Sequence, residues 1–262
     1  VMGVSSGLMM ENRADKEYMM NSLKGYLEKQ PQGPYLSFGG AYEGMVDISR
    51  KDIDKIVSDT PFVMVASSGH GGWVNSKALE AIGILKGGAD PIDYFERDKD
   101  GVPTGYVGTS AAIFHVISKL GIIDKQAILN GADDIFGLFR SQGITSVYDA
   151  GVTIGLEGEA FSAIHELENQ NKLTMRISAS AAFAQRPIHI NAAKQAMKKY
   201  GKMYNSELFR ISTLKIHGDG DWGGYTVGML KPFDTKPDSV GMVSFPDQNQ
   251  LNGLMLDAAR LG

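Results

Sequence analysis

Hydrophobic residues recur along the first part of the chain at two spacings, and these predict its secondary structure. A helical spacing covers residues 15–30, and short apolar runs at 35–38 and 62–66 predict strands. Asp98-Lys-Asp-Gly101 lies between two further short runs, a pattern typical of a β-hairpin. This part of the chain is therefore expected to mix short strands, short helices and a hairpin.

After residue 109 the pattern changes to longer helices that alternate with strands. Apolar residues at helical spacing predict helices over 111–120, 124–142, 157–170, 191–200 and 248–261, and apolar runs predict strands over 144–148, 174–181 and 209–216. This order is the signature of parallel βαβ units. Three strands cannot close a barrel, but they could form part of a (β/α)₈ barrel. A doubly wound sheet is the alternative, and no glycine-rich dinucleotide motif supports it.

Composition and charge narrow the function classes. The chain has 262 residues, of which 43% are hydrophobic and 21% charged, and it has no cysteine. Disulfides, thiolate metal sites and a cysteine nucleophile are therefore excluded. The net charge of −4 gives no sign of a nucleic-acid groove or an anionic membrane surface, and no apolar run approaches the ~20 residues of a membrane span. We expect a cytoplasmic protein with neither nucleic acid nor membrane as its partner.

The predicted strand 209–216 carries a lysine near its end. Strict alternation places Ile211, Thr213, Lys215 and His217 on one face, and Ser212, Leu214 and Ile216 on the other. A lysine within a strand either lies on a solvated edge or points inward, where it loses its proton or finds a strong partner. Both interpretations of Lys215 are open at this point.

Four glycine-containing motifs occur in a fixed order. They are Gly-His-Gly-Gly-Trp-Val-Asn-Ser within 68–79, Gly-Val-Pro-Thr-Gly within 97–105, Gly-Ile-Thr-Ser-Val-Tyr-Asp-Ala-Gly within 142–151, and Lys-Ile-His-Gly-Asp-Gly within 214–220. In this order the chain resembles amidohydrolase family 3, the YtcJ-like group, which includes N-substituted formamide deformylases and proteins labelled exoenzyme regulatory protein. The resemblance runs from about residue 35 to the end of the chain.

The resemblance implies an α/β fold: a metal-dependent hydrolase barrel, (β/α)₈, with an α+β insertion between its first and second strands. It implies a barrel-associated N-terminal helix in 1–33, the insertion in 34–108, and barrel strands two to four in a partial βαβ segment, 109–262. Lys215 then occupies the strand-four metal-ligand position. The family's other ligands, a His-x-His after strand one, histidines on strands five and six and an aspartate on strand eight, find no match in this chain.

The implied chemistry explains why lysine suits that position. A neutral lysine amine can take up carbon dioxide, and the resulting carboxylated lysine can bridge two divalent ions, here expected to be zinc. Zinc lowers the pKa of a bound water, and the resulting hydroxide would attack the non-peptide C–N bond of a small amide-like substrate. We expect the chain to be a central fragment of such an enzyme, inactive by itself and able to self-associate. The alternative is a non-catalytic binding or regulatory protein on the same scaffold.

Four further side chains are predicted to contact the substrate. His70 and Trp73 lie on a glycine-rich loop that the insertion would place over the barrel mouth, whereas His217 and Asp219 follow Lys215 at the end of its strand, where barrel enzymes hold their active sites. Three of them have a structural alternative. His70 could bond to local backbone, Trp73 could belong to the insertion core, and Asp219 could stabilise a turn. Asn75 is predicted to cap a helix rather than to bind a ligand.

Overall fold

The computed structural model describes residues 7–29, 33–42, 44–86, 95–151, 156–184, 187–220, 222 and 225–261. The chain divides into two compact units, Val1–Ile123 and Asp124–Gly262, called here the N-terminal and C-terminal units. Both units combine helices and strands, so the fold is α/β. None of the helices in the described ranges is long and apolar enough to cross a membrane.

The N-terminal unit is built on a sheet with the strand order β1-β2-β3-β4-β6-β5. The first three strands pair in parallel and the other pairs are antiparallel. The strands are β1 (Leu8–Met10), β2 (Tyr35–Gly39), β3 (Phe62–Val65), β4 (Gly72–Val74), β5 (Phe95–Arg97) and β6 (Pro103–Val107), and the helices are α1 (Lys16–Leu27), α2 (Arg50–Asp54), α3 (Ser76–Ala81) and α4 (Ser110–Lys119).

The division between the units falls after residue 123, rather than at the expected boundaries near 33 and 108. At the start of the chain, β1 pairs with β2, and α1 buries Met19 and Leu23 in the same core as the sheet. At the other end, α4 packs against β3 and buries Ile113 and Ile117 completely. Residues on both sides of the predicted insertion therefore contribute to the same compact unit.

The C-terminal unit contains a parallel sheet with the order β7-β8-β9, as the βαβ pattern predicted. Its core lies between the sheet and the helices and includes Phe161, Ile177, Ala179 and Phe209. The elements are β7 (Ser146–Asp149), β8 (Arg176–Ala184), β9 (Phe209–Ile216), α5 (Lys125–Ser141), α6 (Glu157–Asn169), a short 3₁₀ turn (Pro187–His189), α7 (Ile190–Met203) and α8 (Gln248–Leu261).

A β-bulge in β9 changes the alternation that the sequence predicted. Ala179 of β8 pairs with Ile211, but the next residue, Ser180, pairs with Thr213, so β9 has one extra residue at this point. Ile211 is buried in the core against the helices, whereas Ser212 is exposed. The prediction that Ile211 shares a face with Lys215 is therefore wrong, because the bulge reverses the alternation between the two residues.

Candidate functional site

Lys215 lies near the carboxyl end of β9, on the face of the sheet that the helices leave open. Its neighbours Leu214 and Ile216 pack against a cluster that includes Ala193 of α7 and Leu254 of α8, and the lysine points to the other side. Its Cβ and Cγ lie 3.3 Å from the position that a Cβ on Gly151 would take. The end of β7 therefore forms one wall beside the lysine stem.

Three hydroxyl groups, one from each strand of the sheet, meet on this open face. The Tyr148 hydroxyl lies 2.9 Å from Ser180 Oγ and 3.1 Å from Thr213 Oγ1, and the two latter atoms are 3.2 Å apart. Thr213 also donates to the Ala179 carbonyl oxygen at 3.2 Å. Ser180 is completely buried, although Tyr148 exposes 55% of its surface. We call Tyr148, Ser180 and Thr213 the hydroxyl cluster.

The surroundings of Tyr148 favour its ionised form. Hydrogen bonding with Ser180, and to a smaller extent with Thr213, lowers the pKa of the Tyr148 phenol below its ordinary value. The nearby positive charge of Lys215 acts in the same direction. Partial burial opposes the shift but does not cancel it. The lysine and the hydroxyl cluster therefore form one electrostatically connected group on the open face.

His217 and Asp219 follow β9 directly, as predicted, and both are half-buried. The Asp219 carboxylate accepts a hydrogen bond from the Gly228 backbone N–H at 3.2 Å, and Asp219 forms an isolated β-bridge with Val243. Asp219 thus holds together the segment that follows β9, which agrees with its structural alternative. Its predicted contact with a substrate stays a prediction, as does that of His217.

The Gly-His motif forms the tight loop between the antiparallel strands β3 and β4 of the N-terminal unit. The His70 backbone N–H donates to Ser68 Oγ at 2.8 Å, and its Nδ1 lies 3.5 Å from the hydroxyl of Ser110 at the start of α4. Gly69 has φ +74°, a left-handed conformation that favours glycine. The half-buried His70 imidazole is thereby fixed beside the N-terminus of α4.

Trp73 and Asn75 both lie inside the N-terminal unit. Trp73 exposes only 1% of its surface and packs in the core, with its ring centroid 6.2 Å from that of Tyr106. This burial corrects the expectation that the indole walls a substrate pocket, because it leaves almost no surface for a ligand. Asn75 is completely buried and caps α3, as predicted, by accepting from the Ala78 N–H.

The predicted site residues are divided between the two units. Lys215, His217 and Asp219 lie in the C-terminal unit, whereas His70 and Trp73 belong to the N-terminal unit. Within the described ranges, no group of three or more His, Asp or Glu side chains is placed to hold a metal ion. The predicted position of His70 over a barrel mouth stays a prediction.

The hydroxyl cluster is the feature that sequence reasoning missed. Tyr148 lies inside the third motif, and the alternation of side chains along β7 places it on the open face. Both features can be read from the sequence. Ser180 and Thr213 are ordinary strand residues, however, and their meeting with Tyr148 depends on the register of three strands. No local pattern encodes that register.

Comparison with known proteins gives consistent matches over nearly the whole chain. A model of the amidohydrolase family matches residues 5–261. The exoenzymes regulatory protein AepA of Pectobacterium carotovorum subsp. carotovorum is 26% identical over 259 residues, which are 93% of this chain and 53% of that protein. YtcJ of Bacillus subtilis (strain 168) is 22% identical over 257 residues, which are 94% of this chain and 46% of that protein.

Two solved structures share the fold. They are uncharacterized metal-dependent hydrolases from Pyrococcus horikoshii OT3, with a TM-score of 0.60 and 19% identity, and from Pyrococcus furiosus, with a TM-score of 0.56 and 20% identity. Each alignment covers 98% of this chain, but only 50% and 52% of the two solved chains. This chain thus spans about half the length of the relatives that it matches.

Proposed function

The chain belongs to the amidohydrolase family, and from that premise we propose that it is part of a metal-dependent enzyme that hydrolyses non-peptide C–N bonds of small amide-like molecules in the cytoplasm. In this proposal β7, β8 and β9 are strands two to four of a (β/α)₈ barrel, and residues 34–108 are an insertion. Lys215 supplies a metal ligand, as a carboxylated lysine that bridges zinc ions.

The position of Lys215 is the single observation that carries the proposal. The lysine lies near the carboxyl end of a parallel strand, on the face opposite the helices. Barrel enzymes place their chemistry at the carboxyl ends of the strands. A lysine that only keeps its ammonium group in solvent would not require a stem packed beside Gly151. It would also not require the hydroxyl cluster on the same face.

The described residues do not complete a metal site. Lys215 offers one donor, whereas a catalytic zinc ion takes three protein ligands. Within the described ranges no group of three or more His, Asp or Glu side chains could supply the others. We therefore derive no catalytic step through a metal. When bound, zinc would supply an activated water. Further ligands would have to come from residues outside those described.

The remaining predicted residues receive separate roles in the proposal. His70, His217 and Asp219 contact the substrate or orient the groups that do. Trp73 acts indirectly, because its buried indole anchors β4 directly after the loop that carries His70. With its backbone held by Ser68 and its Nδ1 3.5 Å from the Ser110 hydroxyl, His70 has an imidazole suited to hydrogen bonding with a carbonyl or carboxylate group.

A second candidate function is a regulatory protein on the same scaffold. One specific observation favours it: AepA, which is 26% identical to this chain, is named as a regulatory protein of exoenzymes. A fold does not decide between catalysis and binding, since function depends on the site. In this alternative the open face would bind a small molecule without cleaving it.

The test combines metal analysis with an amide-hydrolysis assay. Zinc content and turnover of N-formyl and N-acyl amides are measured for this chain and for the longest form of the protein that contains it. We expect zinc and turnover in the longer form and neither in this chain alone. Lys215→Met should lower the turnover of the longer form by more than about 100-fold, whereas Lys215→Glu, which retains a carboxylate at that position, should recover part of it.

Lys202→Met is the matched control, because Lys202 is an exposed lysine on α7 of the same unit. Full turnover in a folded Lys215→Met variant would refute the ligand role of Lys215. Binding of the amides without zinc and without turnover in the longer form would favour the regulatory alternative.

A further inference from the structure

The bulge in β9 decides on which face of the sheet Lys215 lies. Ile211 is buried on the helix face, and in an unbroken strand Thr213 and Lys215 would follow it there, because side chains two residues apart share a face. The extra residue at Ser212 reverses this alternation within β9, and β8 has an extra residue in turn between Ser180 and Phe183, the partner of Lys215. Leu214 and Ile216 then take the helix face, and Lys215 is turned to the open face.

The hydroxyl cluster lies directly against this bulge. Thr213 is the first residue that pairs with β8 after the extra residue, and its hydroxyl donates to the carbonyl oxygen of Ala179, the last residue of β8 that pairs before it. The Thr213 hydroxyl also contacts the hydroxyls of Tyr148 and Ser180, and Ser180 is completely buried. Were Thr213 to move to the helix face, Tyr148 and Ser180 would lose this partner.

We propose that Tyr148 is a positioning residue for Lys215. Together with Ser180, its hydroxyl holds Thr213 on the open face, stabilises the bulged register of β9, and so keeps the lysine stem beside Gly151. The catalytic importance of Lys215 rests on the proposed function, but its placement by the hydroxyl cluster does not. The same cluster would place the lysine in a binding protein.

The experiment measures how accessible the Lys215 amine is. The protein is treated at fixed pH with a water-soluble succinimidyl ester, and labelling of each lysine is quantified by peptide mass spectrometry, with the exposed Lys172 and Lys202 as internal references. Tyr148→Phe removes only the hydroxyl. We expect it to lower Lys215 labelling relative to the references, because loss of the Tyr148 hydroxyl contacts shifts the equilibrium constant between the two registers by roughly fivefold or more toward the one in which Lys215 faces the helices.

Two further variants and one control separate positioning from general damage. Thr213→Val should lower the labelling in the same way, and Thr213→Ser, which keeps a hydroxyl, should restore it. Ser146→Ala is the control, because Ser146 lies on β7 with Tyr148, but its hydroxyl accepts a hydrogen bond from Arg176 and contacts neither the hydroxyl cluster nor the bulge. It should leave the labelling unchanged.

Unchanged Lys215 labelling in Tyr148→Phe, with a native circular dichroism spectrum, would overturn the proposal. An equal decrease in Ser146→Ala would also overturn it, since the effect would then be a general loosening of the sheet. If Thr213→Val does not fold, Tyr148→Phe alone decides. The assay needs no metal and no substrate, so its failure is distinguishable from failure of the proposed hydrolase function.

Discussion

Replacing Asn75 with alanine should destabilise the N-terminal unit severely. The side chain is completely buried and uses its full hydrogen-bonding capacity. Its Oδ1 accepts from the Phe62 N–H at 3.0 Å and the Ala78 N–H at 2.9 Å, and its Nδ2 donates to the carbonyl oxygens of Val57 at 2.9 Å and Thr60 at 2.8 Å. Alanine would leave four buried backbone groups without these bonds.

The magnitude follows from these four contacts. Loss of a helix N-cap alone costs about 1 kcal/mol, and each buried polar group left unsatisfied costs about 1–3 kcal/mol. With partial relaxation of the backbone, we expect a loss of roughly 3–5 kcal/mol in the free energy of unfolding, a large share of the ~5–15 kcal/mol that a typical domain has. The urea midpoint should fall by about 2 M.

Tryptophan fluorescence can follow this unit separately. The chain has two tryptophans, and Trp73 is buried in the N-terminal unit, whereas Trp222 lies in the C-terminal unit and exposes 67% of its surface. In a Trp222→Phe background, urea titration therefore reports on the surroundings of Trp73. Asn21→Ala is the matched control, because Asn21 is exposed on α1 of the same unit.

Asn75→Asp sharpens the test, because aspartate keeps the two acceptor contacts but turns a carboxylate toward the two carbonyl oxygens. It should be at least as destabilising as alanine. A midpoint for Asn75→Ala within about 0.3 M of the parent, or a shift no larger than that of Asn21→Ala, would refute the reasoning. Asn75 would then owe its place in the Trp-Val-Asn-Ser motif to something other than this structural role.

Two further predictions concern single contacts. Gly151→Ala should destabilise the C-terminal unit by about 1–3 kcal/mol, because φ is +137° and the new Cβ would crowd Lys215 at 3.3 Å. Urea unfolding measures the loss, with Gly143→Ala as the control, since a Cβ at Gly143 meets nothing within 4 Å. Equal losses of stability in the two variants would contradict the prediction. Asp52→Asn should lower stability at pH 7, and the difference should vanish only at pH values well below the unfolded pKa of about 3.9. Partial burial by itself raises the pKa of Asp52, but hydrogen bonds from the Ser49 backbone and Lys16 outweigh it and hold the pKa well below its ordinary value. A carboxyl whose folded pKa is depressed contributes stability that is fully present above its unfolded pKa and is lost as the pH falls from there through the folded pKa; urea unfolding of both proteins from pH 7 downward measures this, and a pH-independent difference between them would contradict the assignment.

Much of the local structure could be predicted from the sequence, because its signals lie within a few residues of one another. The Asn75 cap, the Ser49–Asp52 pair at the start of α2 and the alternation of strands and helices after residue 109 all depend on short-range spacing. The resemblance to amidohydrolase family 3 is confirmed for the same reason.

Only the tertiary structure decided which residues share a surface. Leu8-Met-Met10 carries no strand pattern of its own and becomes a strand by pairing with β2. The motif that contains Trp73 does not indicate whether its indole is exposed or buried. Only the packing of the N-terminal unit shows that it is buried. Within 209–216 apolar and polar residues alternate except at Ser212-Thr213, and the bulge at that polar pair reverses the face of Lys215 relative to Ile211. Strand register depends on pairing with a distant segment and on burial of Leu214 and Ile216 against helices. These interactions connect residues far apart in the chain, so two adjacent polar residues do not by themselves say which face Lys215 takes.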